Sequence, residues 1–257
     1  MPANERFDLT GRTVIITGGG KGIGKVYAQG FAQAGANVVA ADIDGEAAEA
    51  VANDIVAKNG AALALRTDVA DADSTQAMAD ATLKRFGAID VLVNNASLMS
   101  VLPRRSWLEI PIEEWDRVMA VNLRGIFLCC RAVFPAMKAQ GRGKIVNISS
   151  SRVWEGTPNR LHYTTSKAGV IGLTRALSRE VAEFGITVNA LTPGMTLSET
   201  QLATSSGNYV ATRVAGRAIE RNQVPEDLVG AVLFLSSPAS DFMTGQTINV
   251  DGGKAMH

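Results

Sequence analysis

The chain has 257 residues, which at roughly 150 residues per domain allows one domain or two. Its 25 Lys and Arg residues balance 25 Asp and Glu, so no charge excess favours nucleic acid or an anionic membrane as a partner. Hydrophobic residues make up 46% and charged residues 19%, enough for a full apolar core and too little charge for disorder.

Cys129 and Cys130 are adjacent in an apolar run, where neighbouring side chains form no ordinary bridge. A chain without a disulfide framework is expected in a reducing compartment. Met1 to Arg12 carries Glu5, Arg6, Asp8 and Arg12 without an apolar signal core, and no uninterrupted apolar run reaches the roughly 18 residues a bilayer span needs. A cytoplasmic protein is expected. His162 and His257 stand outside any ligand-spaced cluster, so no metal is expected.

The first β-rich run, Thr13 to Thr17, leads into Gly18-Gly19-Gly20-Lys21-Gly22-Ile23-Gly24 and then a helical pattern from Ile23 to Ala34. A Gly-rich turn between strand and helix lets backbone N–H groups close around a pyrophosphate at the positive end of the helix dipole. Glycine clusters also make plain tight turns, and the strand-turn-helix context is what favours the dinucleotide.

The second strand, Asn37 to Ala41, is followed by Asp42, 24 residues after Gly18. A carboxylate there accepts hydrogen bonds from both hydroxyls of an adenine ribose and repels a 2′-phosphate, which favours NAD over NADP. Lys21 argues the other way. Asp42 decides, because an Asp facing a phosphate is a like-charge conflict whereas a Lys beside a pyrophosphate suits either cofactor. After the third strand, Ala62 to Arg66, Asp68 and Val69 stand where an adenine edge is read, or Asp68 caps the next helix.

A fourth strand spans Ile89 to Val93, and one helical pattern runs from Trp115 to Met137. The fifth strand, Lys144 to Ile148, ends in Ser149-Ser150-Ser151, at the carboxyl edge where open α/β sheets bind ligands. Tyr163 and Lys167 are four apart in a helical stretch and share a face. A nearby ammonium lowers a tyrosine pKa from about 10 toward the working pH and makes it a general acid/base. A surface helix carries the same pair by chance, so context has to decide.

Strands at Thr187 to Leu191 and Thr247 to Val250 complete the alternation. It predicts a single-domain, Rossmann-like, doubly wound parallel sheet of about seven strands spanning 1–257, with helices on both faces. Gly194 to Val224 interrupts the pattern with 31 residues. It reads as a substrate lid, or as a surface excursion holding one helix around Tyr209 to Glu220.

Taken together, Thr17-Gly18-x-x-x-Gly22-Ile23-Gly24, Asp68-Val69, Asn94-Asn95-Ala96, Asn122, Ser150, Tyr163-x-x-x-Lys167, Pro193-Gly194 and Asp251-Gly252-Gly253 resemble the short-chain dehydrogenase/reductase family in order and spacing, from about Asp8 to Gly253. The resemblance implies an active site of Asn122, Ser150, Tyr163 and Lys167. Tyr163 exchanges a proton with the substrate oxygen while hydride passes to or from nicotinamide, and Ser150 is a second donor to that oxygen. Ser150 is preferred to its neighbours because it lies thirteen residues before Tyr163, the family spacing. Lys167 depresses the tyrosine pKa and binds the nicotinamide ribose. Asn122 holds a water linked to Lys167, or fixes a helix bend, or both.

The resemblance further implies that Asn94 steadies the central strands, that the Asn95-Ala96 backbone lines the cofactor, and that Thr196 and Ser198 after Pro193-Gly194 meet the nicotinamide carboxamide. Ser97 replaces the family's usual Gly. Ser97, Trp154 and Met195 are the expected substrate contacts, and Leu98, Met99, Val101 and Trp107 with Trp154 suggest an apolar pocket or ordinary packing.

The expected activity is NAD(H)-dependent interconversion of a secondary alcohol and a carbonyl in a small, lipophilic or aromatic molecule. The alternative is a 3-oxoacyl carrier-protein reductase using NADPH, with Arg104, Arg105 and Arg124 as an acidic-partner patch. A non-catalytic cofactor sensor is a distant third. Enoyl reductases of the same superfamily place six residues, rather than three, between Tyr and Lys. The resemblance also implies a homotetramer paired through Trp115–Ala139 and Tyr163–Phe184, with Gly245 to Gly253 and His257 near another subunit.

Overall fold

The structure is a computed structural model that describes residues 7–202 and 214–256. Seven parallel strands form one sheet: β1 (Thr13–Thr17), β2 (Asn37–Asp42), β3 (Ala61–Arg66), β4 (Val91–Asn94), β5 (Gly143–Ile148), β6 (Ile186–Pro193) and β7 (Thr247–Val250). Their order is β3-β2-β1-β4-β5-β6-β7. The order reverses between β1 and β4, which pair from Val14–Val91 to Ile16–Val93. At such a switch point, connections leave to opposite faces and open a crevice at the carboxyl ends of the strands.

Strand side chains alternate between two cores. Val14 and Ile16 pack with Tyr27 and Phe31 of α1 (Gly22–Gln33), with Val51 and Ile55 of α2 (Gly45–Ala57), and with Leu228 and Val232 of a late helix, Glu226–Ser236. Ile15 and Leu92 face the other way, toward Met78 of α3 (Ala72–Phe86), Val133 of α5 (Gly125–Gln140) and Val170 of α7 (Leu161–Val181). Central strands buried on both faces explain the near-continuous apolar runs of β1 and β4.

Two sequence expectations shift. The fourth strand begins at Val91, not Ile89, because the Ile89 amide donates to Gln140 Oε1 instead of a neighbouring strand. The long helix after it is two: α4 (Ile112–Met119) and α5, joined by a π turn over Ala120–Arg124 that contains Asn122. The segment Gly194 to Val224 lies partly outside the described residues, as does the helix expected around Tyr209. Of the described residues there, Gly216 takes a left-handed φ of +80° and residues 217–220 are not helical. Short helices α6 (Arg152–Glu155) and α8 (Glu199–Leu202) border the crevice, and the late helix Glu226–Ser236 is α9.

Candidate active site

A cavity of about 550 Å³ opens at the switch point, lined by the β1–α1 turn, the ends of β2 to β6 and the start of α7. Gly18 opens the turn with a φ of +63°, and a Cβ there would lie 2.9 Å from Ala96 Cα. A Cβ on Gly24 would run into the Gly18 carbonyl. The glycines thus bring the start of α1 against the β4 loop with backbone facing the cavity. Asn95 locks the two together: its Nδ2 donates to the carbonyls of Thr17 (3.0 Å) and Gly18 (3.1 Å), while Thr17 Oγ1 accepts from the Asn95 and Ala96 amides.

The first helical amide, Gly22 N–H, donates to Glu199 Oε1 at 3.2 Å. An anionic oxygen therefore already sits at the positive end of α1, the position a pyrophosphate takes. Glycine backbone, free of side chains, and an anion at the helix start together fit a dinucleotide.

Asp42 ends β2 with one oxygen accepting from Gly20 N–H (2.9 Å) and the other from Asp44 N–H (3.0 Å). Lys21 lines the same cavity: its ammonium pairs with Asp44, Nζ to Oδ2 2.5 Å, and this pairing, with a smaller contribution from Asp42, raises the lysine pKa. Asp68 lines the cavity and accepts from Ala70 N–H, whereas Asp71 caps α3 through Ser74 N–H. Val69 lines the cavity beside it and packs against Gly125.

The three serines after β5 have different surroundings. Ser149 Oγ donates to the Lys167 carbonyl (2.7 Å) and Ser151 Oγ to Glu155 (2.8 Å). Ser150 stands beside the Tyr163 phenol and, with the Ser97 hydroxyl, favours its ionised form. The Ser97 contact with Tyr163 was legible only as a missing glycine.

Tyr163 is buried, and burial raises its pKa; Ser150, Arg152, Arg160 and Ser97 pull it back down in that order. Lys167 is not among these groups. Lys167 lies 5.8 Å from the Tyr163 ring centre, donates from Nζ to the Ile148 carbonyl at 2.8 Å, and burial lowers its own pKa to about 7. An amine that titrates near neutrality is a weaker electrostatic lever than a fixed ammonium.

Asn122 is fully buried behind the cavity wall. Its Oδ1 accepts from Leu98 N–H (2.7 Å), and its Nδ2 donates to the Leu98 carbonyl and to Ser166 Oγ (both 3.2 Å). Ser166 in turn donates to the Tyr163 carbonyl. Asn122 therefore ties the π turn, the β4 loop and α7 together, the bend-fixing role. Asn94 Nδ2 donates to Asn147 Oδ1 of the adjoining β5 at 2.9 Å.

Of the remaining expected contacts, Ile23, Ala96, Pro193, Gly194, Met195, Thr196 and Ser198 all line the cavity. Trp154 does not; on the short α6 it is Arg152 that faces inward. Val101 and Trp107 are also absent from the wall and are 71% and 65% exposed, while Leu102 between them is buried. Leu98 and Met99 remain as apolar lining. Arg117, Arg152 and Arg160 are lining residues that no motif marked. Cys129 and Cys130 are buried in the core, where burial pushes the Cys130 thiol up to about 12 and Cys129 higher still. Among the described residues, no cluster suited to a metal ion occurs.

Residues 18–255 match a family model described as enoyl-(acyl carrier protein) reductase, and a 3-oxoacyl-[acyl-carrier-protein] reductase of Synechocystis is 38% identical over 96% of this chain and 98% of its own length. The chain belongs to the short-chain dehydrogenase/reductase family. It is an oxidoreductase. Two solved structures superpose along nearly the whole chain. A 7α-hydroxysteroid dehydrogenase complexed with NADH and 7-oxo glycochenodeoxycholic acid gives a TM-score of 0.93 at 32% identity, covering 100% of this chain and 99% of that one. A gluconate 5-dehydrogenase from Burkholderia cenocepacia, in complex with NADP and tartrate, gives 0.92 at 37% identity, covering 98% of each. The description of the matching model names enoyl reduction, whereas Tyr163 and Lys167 are separated by three residues, the spacing read above as favouring carbonyl chemistry over enoyl reduction.

Proposed function

We propose that the protein is an NAD(H)-dependent dehydrogenase/reductase that interconverts a secondary alcohol and a ketone in a small molecule with a lipophilic or aromatic body. One observation carries the reading: Tyr163, Ser150 and Lys167 line the same cavity as the Gly18 to Gly24 turn and Asp42. Gly18, Gly22, Ile23 and Gly24 would hold the pyrophosphate, Asp42 the adenine ribose, Asp68 and Val69 the adenine, and Asn95, Ala96, Pro193, Gly194, Thr196 and Ser198 the nicotinamide half. Bound there, the nicotinamide ring supplies or accepts the hydride.

Tyr163 donates a proton to the substrate oxygen in reduction and takes one in oxidation. Burial keeps the phenol protonated at neutral pH, which suits the donor role. Ser150, and beside it Ser97, donates to the same oxygen as its charge develops. Lys167, held by the Ile148 carbonyl, would orient the nicotinamide ribose. Asn122 acts by positioning α7 and the β4 loop.

Preference for NAD rests on Asp42, on the Lys21–Asp44 pair and on Ile43, an exposed apolar residue in the wall where a cation would meet a 2′-phosphate. The NADPH-dependent 3-oxoacyl reductase is the second reading, favoured by the Synechocystis relative. Its basic patch is weakened because Arg105 pairs with Glu114 and Arg124 donates to the Ala70 carbonyl. The same proposal includes a cytoplasmic homotetramer joined through α4, α5 and α7, where Phe127 is exposed; light scattering tests its size. The activity is tested with aryl alcohols, polyols, hydroxysteroids and 3-hydroxyacyl thioesters, each with NAD and with NADP. Higher kcat/KM with NADP on every active substrate would overturn the cofactor assignment.

A further inference from the structure

Charge is divided unevenly along the cavity. Its lining carboxylates, Asp42 at the end of β2 and Asp68 just after β3, stand on the adenosine side, with Lys21 near them. Its lining arginines, Arg117, Arg152 and Arg160, come from the last turn of α4, the first residue of α6 and the residue before α7, around Tyr163. Among the described lining residues, no carboxylate stands on that side.

Arg160 is 7% exposed, and its side chain is fixed: Nη2 donates to the Leu102 carbonyl at 2.7 Å and Nη1 contacts Met99 Sδ at 2.9 Å. Arg152 is anchored by Nη2 to the carbonyls of Thr157 and Pro158. Both guanidinium groups act on the Tyr163 phenol strongly enough to oppose its burial. A guanidinium remains charged in a protein interior, and its planar fork matches a carboxylate. Two anchored guanidinium groups lining the cavity beside a proton donor therefore place fixed positive charge where one end of a ligand would lie. Leu98, Met99 and Met195 in the same wall offer apolar contact for its carbon body.

We propose that the substrate is a hydroxy acid or its oxo acid, whose carboxylate is held by Arg152 and Arg160 while its carbinol or carbonyl oxygen faces Tyr163. The inference rests on the reading of this cavity as a dehydrogenase site and adds the charge of the substrate to it. Arg117, exposed at the rim, draws the anion toward the entrance.

Calorimetric titration of malonate and of neutral malonamide, with and without saturating NADH, tests this. Malonate is expected to bind at least about 10-fold more tightly than malonamide, and Arg152→Gln to remove that difference while leaving the NADH Kd within about two-fold. Arg160→Gln is expected to do the same; because Arg160 also braces the Leu102 loop, Arg152→Gln is the decisive variant. Equal affinity for the two ligands, or a malonate preference unchanged in Arg152→Gln, would overturn the assignment. Inorganic phosphate binding more tightly than malonate would overturn the carboxylate in favour of a phosphate ester. Failure of NADH to bind sinks the cofactor reading separately, because the malonate arm without NADH still reports on the arginines.

Discussion

Lys21, on the cavity wall beside Asp42, pairs with Asp44, the N-cap of α2, across the mouth of the Gly-rich turn. In the proposed site this pair competes with a 2′-phosphate for the one cation of that turn, beside the Asp42 carboxylate. Asp44→Asn preserves a capping side chain while releasing Lys21. It is expected to raise kcat/KM for NADP by about 3- to 10-fold with little change for NAD. Steady-state kinetics with both cofactors check this, and Asp42→Ala should shift the ratio further in the same direction.

The serines after β5 are separable by mutation. Ser150→Ala removes the hydroxyl beside the phenol and is expected to lower kcat by about 10- to 100-fold. Ser151→Ala, which loses only a bond to Glu155, is expected to keep turnover within about two-fold. Turnover measured for both variants with the best alcohol of the panel decides between them.

Buried Lys167 makes stability depend on pH in a direction opposite to that of a salt-bridged lysine. Its pKa is about 7 folded against about 10.4 unfolded. Between these values the unfolded chain binds more protons, so this residue's contribution rises with pH from about 7 to about 10. Thermal unfolding is expected to show a Tm that gains more over pH 7 to 9.5 in the wild type than in Lys167→Met. Parallel curves would mean that the amine is solvated.

The protonation state of Tyr163 predicts opposite pH profiles for the two directions. A phenol whose pKa is raised by burial is a ready acid at neutral pH and a base only in alkali. Alcohol oxidation is expected to accelerate as pH rises from 7 toward 10, and carbonyl reduction to slow only once the pH passes about 10. Arg152→Gln, lacking a cation that favours the phenolate, should move the oxidation limb to higher pH.

The strand-turn-helix of β1 and α1 and the Tyr163–Lys167 pair were legible in the sequence because each is local: a turn of seven residues, and a separation of four that α-helix geometry converts into a shared face. What escaped is set by loops. No periodicity indicates that Trp107 turns outward, or that α6 presents Arg152 rather than Trp154 to the cavity. Arg117, Arg152 and Arg160 converge from three separate elements with no fixed spacing between them. The break at Asn122 was hidden because apolar spacing continues through a π turn, while the side chain that stabilises it bonds to Leu98, 24 residues away. The expectation that Lys167 lowers the tyrosine pKa, drawn from helical spacing and from the family resemblance, left out burial of both groups, which moves each toward its neutral form.

The direct test of the account is Tyr163→Phe, which removes one oxygen and keeps the packing of the ring. Turnover is expected to fall by at least about 100-fold while the NADH Kd, measured by fluorescence, stays within about two-fold of wild type. Turnover equal to that of the wild type would contradict the assignment of Tyr163 as the proton donor.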